Sequence, residues 1–120
     1  MQHEKLEVYQ EARALAHKLM RLGEKRYLSF EFNNQIVAAA LSIPLNIAEG
    51  AGRMGPKERA HFYSIARGST AECASFLDVV LDEKLISDDL HQSLKLHCHT
   101  VSKMLYSAIK ANRTIALNRP

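Results

Sequence analysis

The segment that most constrains the fold is residues 35–53, the most apolar part of the chain, which nevertheless carries a regular series of polar side chains. These side chains are spaced by four, three and four residues, and they are Ser42, Asn46, Glu49 and Arg53. On a helix this spacing places all four on one face. A helix that is apolar on nearly every other side is normally buried. The segment therefore predicts a central helix with other helices packed around it.

Amphipathic periodicity extends to three further segments of the chain. We expect helices at residues 4–26, 31–49 and 56–81, and a last helix that begins after a turn at residues 82–87 and frays from about residue 114. The predicted inner face of the third helix consists of Phe62, Ile65, Ala66, Ser69, Cys73, Phe76, Leu77 and Val80. Four such helices with short connections predict an all-α, antiparallel up-down-up-down four-helix bundle, a single domain over residues 1–120.

Prolines, glycines and serines mark the ends and irregularities of these helices. Pro44 lies inside the second helix and predicts a kink there, because it removes a backbone hydrogen bond and crowds the preceding turn. Residues 50–55 match a dinucleotide-binding fingerprint by letter, but they follow a helix rather than a strand, so they predict a helix-to-helix turn. Pro56 suits the first position of the third helix, and Ser29 and Ser87 suit N-caps. Gly68 lies in mid-helix, where close approach of another helix would explain it.

The composition is that of an ordinary globular domain, with 47% hydrophobic and 24% charged residues in a chain of 120. A net charge of +3 permits a nucleic-acid partner without requiring one. The two cysteines fall inside periodic segments, which indicates buried free thiols in a reducing compartment. The chain has no apolar leader and no apolar run long enough to span a bilayer, so we expect a soluble cytoplasmic protein without a membrane partner.

The pattern predicts no catalytic, metal or cofactor site. His97 and His99 flank Cys98, but residues two apart do not share a helix face, which argues against a metal site. Ser69 has no His or Asp partner at helical spacing, which argues against a nucleophile. Acid–base catalysis would need a pair of carboxylates, and Glu49 and Glu72 could form one only if the two side chains met across neighbouring helices.

We favour a structural polar network for the same side chains, because buried charges require partners. Its predicted members are Ser42, Asn46, Glu49, Arg53, Ser69 and Glu72. In this network Glu49 pairs with Arg53, while Ser69 and Glu72 pair with Asn46. If the Glu49 carboxylate is buried, its removal should cost roughly 3 to 5 kcal/mol of stability.

Basic side chains gather at three places and are candidates for RNA contacts. They are Arg21 and Lys25 with His17 on the first helix, Arg53, Lys57 and Arg59 at the glycine turn, and Lys103, Lys110 and Arg113 on the last helix. The start of the third helix also offers free N–H groups to a phosphate. Because the first and last helices are neighbours in an up-down bundle, their basic stripes are expected to merge. The alternative is a set of solvated faces that bind nothing.

Two motifs resemble the signatures of the bacterial four-helix-bundle proteins that are also called 23S rRNA intervening-sequence proteins. The first consists of Gln35, residues 42–50 (Ser-Ile-Pro-Leu-Asn-Ile-Ala-Glu-Gly) and Arg53. The second is residues 66–72 (Ala-Arg-Gly-Ser-Thr-Ala-Glu). Where many members have basic residues shortly after the glutamine, this chain has Val37 and Ala38, which weakens the RNA interpretation.

The resemblance implies an all-α bundle, often a ring-shaped homopentamer, in the bacterial cytoplasm, with no established enzymatic activity. It also implies a relationship to accessory proteins of diversity-generating retroelements, whose partners are a reverse transcriptase and RNA. We therefore expect a non-enzymatic oligomer that serves as an accessory module for RNA or a nucleoprotein complex. The alternative is a protein-binding or structural oligomer with no nucleic-acid role.

Overall fold

The computed structural model describes residues 1–25 and 29–119, and within them every regular element is helical. A short 3-10 turn at Gln2–Lys5 precedes four helices: α1, Glu7–Glu24; α2, Phe30–Ala51; α3, Pro56–Asp82; and α4, Asp88–Leu117. The predicted end of the first helix at Arg26 and the first half of the connection expected at residues 27–30 lie outside the described residues. Each helix packs against its neighbours in the chain, and α1 also packs against α4. The all-α four-helix bundle is thus confirmed.

The core runs the length of a bundle that measures 53 × 22 × 22 Å. Its largest fully buried side chains come from all four helices, and they include Leu15, Leu19, Ile36, Ile43, Ile47, Leu77, Val101 and Leu105. α2 packs against α1 and α3 and buries one stripe, while Leu41 and Leu45 stay exposed, so α2 is not the central helix that the apolar pattern of residues 35–53 predicts. Cys73 and Cys98 are buried free thiols, as expected from their positions in the periodic segments.

The buried face of α3 is rotated by less than one residue position from the predicted one. Ala66, Cys73, Phe76, Leu77 and Val80 are buried as expected, whereas Phe62, Ile65 and Ser69 are not. Tyr63 and Thr70 are buried instead. Thr70 can be buried because its hydroxyl donates a 2.8 Å hydrogen bond to the Ala66 carbonyl, which satisfies the polar group within the helix.

Both predicted serine caps are present. The Ser29 hydroxyl accepts from the Phe32 amide at 3.2 Å, and the Ser87 hydroxyl accepts from the Leu90 amide at 3.1 Å. Residues 52–55 form the expected turn between α2 and α3, and α3 begins at Pro56. α2 continues without interruption through Pro44, where the kink stays a prediction. α4 is helical to Leu117, beyond residue 114 where we expected fraying to begin.

The close helix approach that we expected at Gly68 occurs at a different glycine. No atom lies within 4 Å of a Cβ built on Gly68, which is exposed. A Cβ on the buried Gly50 would lie 2.8 Å from Cε1 of Tyr63 and 3.1 Å from Cβ of Phe62. The absence of a side chain at Gly50 therefore allows α2 and α3 to pack closely at the turn end of the bundle. Packing within the chain does not explain why residue 68 is a glycine.

Candidate functional site

Three of the six predicted network residues meet where α2 faces α3. The hydroxyl oxygens of Ser42 and Ser69 are 2.7 Å apart. The side-chain amide of Asn46 donates to the Ser42 hydroxyl at 3.0 Å and to its carbonyl at 2.8 Å. All three residues are half-buried. The polar series of α2 and the second motif in α3 are thus joined by one hydrogen-bonded group.

The charged members of the predicted network lie elsewhere. Arg53 donates to Glu49 at 2.5 Å, but the two side chains are 41% and 52% exposed, so this is a surface ion pair and not a buried one. Arg53 also lies over the Phe62 ring, with its guanidinium carbon 4.9 Å from the ring centroid. Glu72 is exposed. With Ser42 beside Ser69 in antiparallel helices, Glu49 and Glu72 are offset by roughly 15 Å along the axis at 1.5 Å per residue, so they form no carboxylate pair.

Apolar side chains surround the half-buried serines and asparagine on the outside of these two helices. Leu41 is 39% exposed, Leu45 63% and Ile65 39%. We call this surface the α2–α3 face and define it by Leu41, Ser42, Leu45, Asn46, Ile65 and Ser69. Its exposed leucine and isoleucine side chains lie next to polar groups that hydrogen bonds fix in place.

A second exposed surface lies between α3 and α4 and is basic. Arg67, Gly68, Tyr106 and Arg113 line one part of it, and Lys57, His61 and Arg113 line the adjoining part. We call it the α3–α4 groove and define it by these six residues. Among the described residues that line it there is no carboxylate. The positive charges of the groove are therefore not neutralised by groups of the groove itself.

Arg67 and Tyr106 are held against each other in this groove. The Arg67 guanidinium carbon lies 5.2 Å from the centroid of the Tyr106 ring, and its Nε donates to the Ser102 hydroxyl at 3.3 Å. Tyr106 stays 52% exposed. On α4 the exposed residues Lys103 and Lys110 precede and follow Tyr106 at helical spacing, and Arg113 follows Lys110. These three cations and the Tyr106 ring form one stripe along α4.

The other predicted basic residues do not join this groove. His17, Arg21 and Lys25 line a separate depression between α1 and the N-terminal part of α4, beside Leu90 and Leu94. Arg21 pairs there with Glu24 at 3.4 Å. The merged surface that we expected from neighbouring α1 and α4 is therefore not formed, because the basic residues of α4 lie further along its length and Arg113 faces α3.

Arg59, one of the predicted cations at the glycine turn, makes contacts within the protein instead. Its Nε donates to the side-chain oxygen of Asn112 at 2.8 Å. Its Nη1 donates to the carbonyl oxygens of Arg53 at 3.2 Å and Met54 at 2.7 Å. Arg59 thus ties the glycine turn to the end of α4. Since Arg53 is engaged by Glu49, only Lys57 of the three cations near the start of α3 is left for an external phosphate.

The groups considered for catalysis or metal binding are buried, engaged by other side chains or far from one another. Burial raises the pKa of Cys73 to about 12 and that of Cys98 to about 11, which disfavours the reactive thiolate. His97 contacts a Glu11 carboxylate oxygen at 2.8 Å and the Lys18 ammonium at 3.1 Å, while His99 is exposed. Within residues 1–25 and 29–119, no three His, Cys, Asp or Glu side chains are placed to hold a metal ion.

A family model described as 23S rRNA-intervening sequence protein matches residues 4–107. The chain belongs to this family. Its two motifs supply the hydrogen-bonded residues of the α2–α3 face, and the second motif also supplies Arg67 and Gly68 of the α3–α4 groove. No curated protein matches the sequence.

A solved structure with the same fold comes from Bacteroides thetaiotaomicron and is described as a protein of unknown function from the S23 ribosomal protein family. It is 21% identical, superimposes with a TM-score of 0.81, and the match covers 86% of this chain and 98% of that one. At this identity the likeness supports the fold alone. In the described part of the chain, each helix falls short of the length and apolar character that crossing a membrane requires.

Proposed function

We propose that the protein is a non-catalytic, oligomeric helical-bundle module that binds RNA, alone or in a nucleoprotein complex, in the bacterial cytoplasm. The observation that carries the RNA part is the α3–α4 groove, where Arg67 and Arg113 flank an exposed tyrosine, Lys57 lines the adjoining part, and no described lining residue is a carboxylate. Clustered cations supply most of the affinity of a protein for a nucleic-acid backbone. A reverse transcriptase, which the resemblance to retroelement accessory proteins implies, would then be a protein partner in the same complex.

The non-catalytic part of the proposal is supported by the state of the nucleophilic groups. Both thiols are buried, with a raised pKa. The Ser69 hydroxyl has the Ser42 hydroxyl as its partner, and a hydroxyl is not a base that activates a nucleophile. Glu49 is engaged by Arg53 at the surface. The described polar groups are thus arranged to hold helices together and to present charge.

The oligomeric part of the proposal is supported by the α2–α3 face, which leaves Leu41, Leu45 and Ile65 partly exposed. Burial of this face against another copy would remove apolar area from water and cover the polar group fixed by the two motifs. A ring of five copies, as the resemblance implies, would repeat the α3–α4 groove five times. Repetition raises avidity without any new contact within each site.

The test of RNA binding compares two matched double charge reversals. Lys110→Glu with Arg113→Glu changes the α3–α4 side, and Arg21→Glu with Lys25→Glu changes the separate α1 depression by the same net charge. Each variant and the parent are titrated with a structured RNA at several salt concentrations. We expect the first variant to bind more weakly and to lose about one unit of salt slope per cation, and the second to bind like the parent.

A second candidate function is a protein-binding or structural oligomer with no nucleic-acid role, and the exposed leucines of the α2–α3 face favour it. Failure of the parent to bind RNA at low salt, with an intact oligomer by light scattering, would establish this alternative over the first. Equal weakening by both double reversals would mean that net charge, and not the α3–α4 groove, governs the binding.

A further inference from the structure

We infer that the α3–α4 groove binds an unpaired segment of RNA, with a base stacked on Tyr106 and the adjoining phosphates on Arg67 and Arg113 of the groove and on Lys110, an exposed residue next to it on α4. This inference rests on the proposed RNA-binding function and specifies the kind of RNA. Its basis is the combination of an exposed ring, cations on both sides of it and a glycine in the wall of the groove.

The ring of Tyr106 is positioned as a stacking surface before any ligand arrives. Arg67 lies against it at 5.2 Å and is itself tied to Ser102 at 3.3 Å, so the ring and the guanidinium are held together. The residue is still 52% exposed. Stacking on aromatic rings and on arginine planes is how proteins bind unpaired bases, whatever their sequence.

A ligand in the groove would explain why residue 68 is a glycine. Gly68 stands in the middle of α3, where glycine is unfavourable, and no neighbouring atom lies within 4 Å of the place where a Cβ would be. It also lines the groove beside Arg67 and Tyr106. A Cβ at this position would project into the space that a stacked nucleotide requires, and glycine lets the nucleotide approach the helix backbone.

An unpaired strand fits these features better than a duplex does. In a duplex the faces of the bases are already stacked on one another, and recognition proceeds through phosphates and 2′-hydroxyls. A duplex would therefore use Lys103, Lys110 and Arg113 but have no use for the Tyr106 ring or for Gly68. An unpaired strand uses the ring and the cations together.

The experiment titrates fluorescent oligouridine and a duplex RNA of equal length into the full chain and three variants. Tyr106→Ala removes the ring, Tyr106→Phe keeps it, and Gly68→Ala adds one methyl group. We expect the parent to prefer oligouridine. Tyr106→Ala should weaken oligouridine binding by roughly 5- to 150-fold with little change for the duplex, and Tyr106→Phe should bind like the parent. Gly68→Ala should melt at a higher temperature than the parent and still bind oligouridine more weakly.

Failure of this inference is distinguishable from failure of the proposed function. If Tyr106→Ala binds oligouridine like the parent while Lys110→Glu with Arg113→Glu weakens both RNAs, the stacking inference is wrong and RNA binding stands. If the parent binds neither RNA at low salt, the proposed function fails as well. If Tyr106→Ala or Gly68→Ala changes the oligomer mass by light scattering, the groove is a protein interface and the inference is overturned.

Discussion

At the scale of single residues, Gly50 and Gly68 have opposite surroundings, and this difference predicts opposite effects of adding a methyl group. Gly50→Ala places a Cβ 2.8 Å from the buried Tyr63 ring and should destabilise the protein by about 1 to 3 kcal/mol, as overpacking does. Gly68→Ala meets open space and should stabilise it by about 1 kcal/mol. Urea unfolding of both variants measures the difference, and equal stabilities would contradict the helix contact at Gly50.

Glu49 is the residue at which the structure most changes the expected energetics. A buried carboxylate would cost roughly 3 to 5 kcal/mol on removal, but Glu49 is 52% exposed and its partner Arg53 is 41% exposed. We therefore expect Glu49→Ala to cost about 0 to 1 kcal/mol, with an effect that shrinks at high salt. Chemical unfolding at low and high salt measures this, and a larger loss would contradict an exposed ion pair between Glu49 and Arg53.

At the scale of elements, Arg59 is the contact that fastens the glycine turn to α4. Arg59→Lys keeps the charge but loses the fork that reaches Asn112 and two carbonyl oxygens. We expect it to lower the free energy of unfolding by about 1.5 to 3 kcal/mol. Lys57→Ala, at an exposed position two residues away, serves as the control and should change it by less than about 0.5 kcal/mol. If Arg59→Lys unfolds in urea like the parent, the Arg59 contacts do not hold the glycine turn to α4.

The opposite end of the α3–α4 pair is joined by a titratable contact. Lys95 and His91 both contact the Asp78 carboxylate, and hydrogen bonds from Lys95 and then His91 hold the pKa of Asp78 below its ordinary value of 3.8. The contact therefore stabilises the fold fully above pH 3.8, and its contribution is lost as pH falls through the lower folded pKa. Asp78→Asn should lower the melting temperature at neutral pH but not at a pH far below 3.8.

The control for this titration is Glu72→Gln, which removes one charge from an exposed carboxylate of the same helix. Glu72 makes no hydrogen bond or ion pair with any described residue. The Glu72 variant should therefore melt like the parent at both pH values. A melting difference for Asp78→Asn that persists unchanged at acid pH would mean that its cause is not the charge of Asp78.

The elements were predictable from sequence to the extent that periodicity decides them. Apolar spacing located the four helices, and the serine caps and Pro56 located several of their ends. The rotation of α3 was not predictable, because Ile65 and Ser69 fit the apolar period as well as Tyr63 and Thr70 do. Thr70 is buried only because its hydroxyl bonds within the helix, and composition does not reveal which hydroxyl will do so.

The candidate sites were predictable in part for the same reason. The stripe of Lys103, Lys110 and Arg113 follows from spacing along one helix, and the same spacing would have included Tyr106. The α3 residues of the groove lie beside this stripe only because of the register of α3 against α4, and no pattern within a single helix specifies that register. These residues are Arg67, Gly68 and His61. Sequence predicts Arg59 only as a cation for a ligand, and its contacts within the fold are not predictable because its partners are a side chain of α4 and two backbone carbonyls.

At the scale of the whole molecule, the question is whether the α2–α3 face meets another copy. The two motifs, far apart in sequence, both supply residues to this face, and they fix Ser42, Asn46 and Ser69 in one hydrogen-bonded group between exposed apolar side chains. We propose that this face is an interface, in which apolar side chains provide area and fixed polar groups provide orientation.

This argument predicts the effect of one charge placed on the face. Leu45 is 63% exposed on α2, and Leu96 is 66% exposed on α4, so the two leucines are matched in exposure and differ in location. Leu45→Glu should convert the protein into monomers, because a desolvated carboxylate without a partner opposes association, and Leu96→Glu should leave the oligomer intact. Light scattering of the parent and both variants at micromolar concentration measures this. A monomeric parent would exclude the oligomer, and dissociation caused only by Leu96→Glu would move the interface to α4.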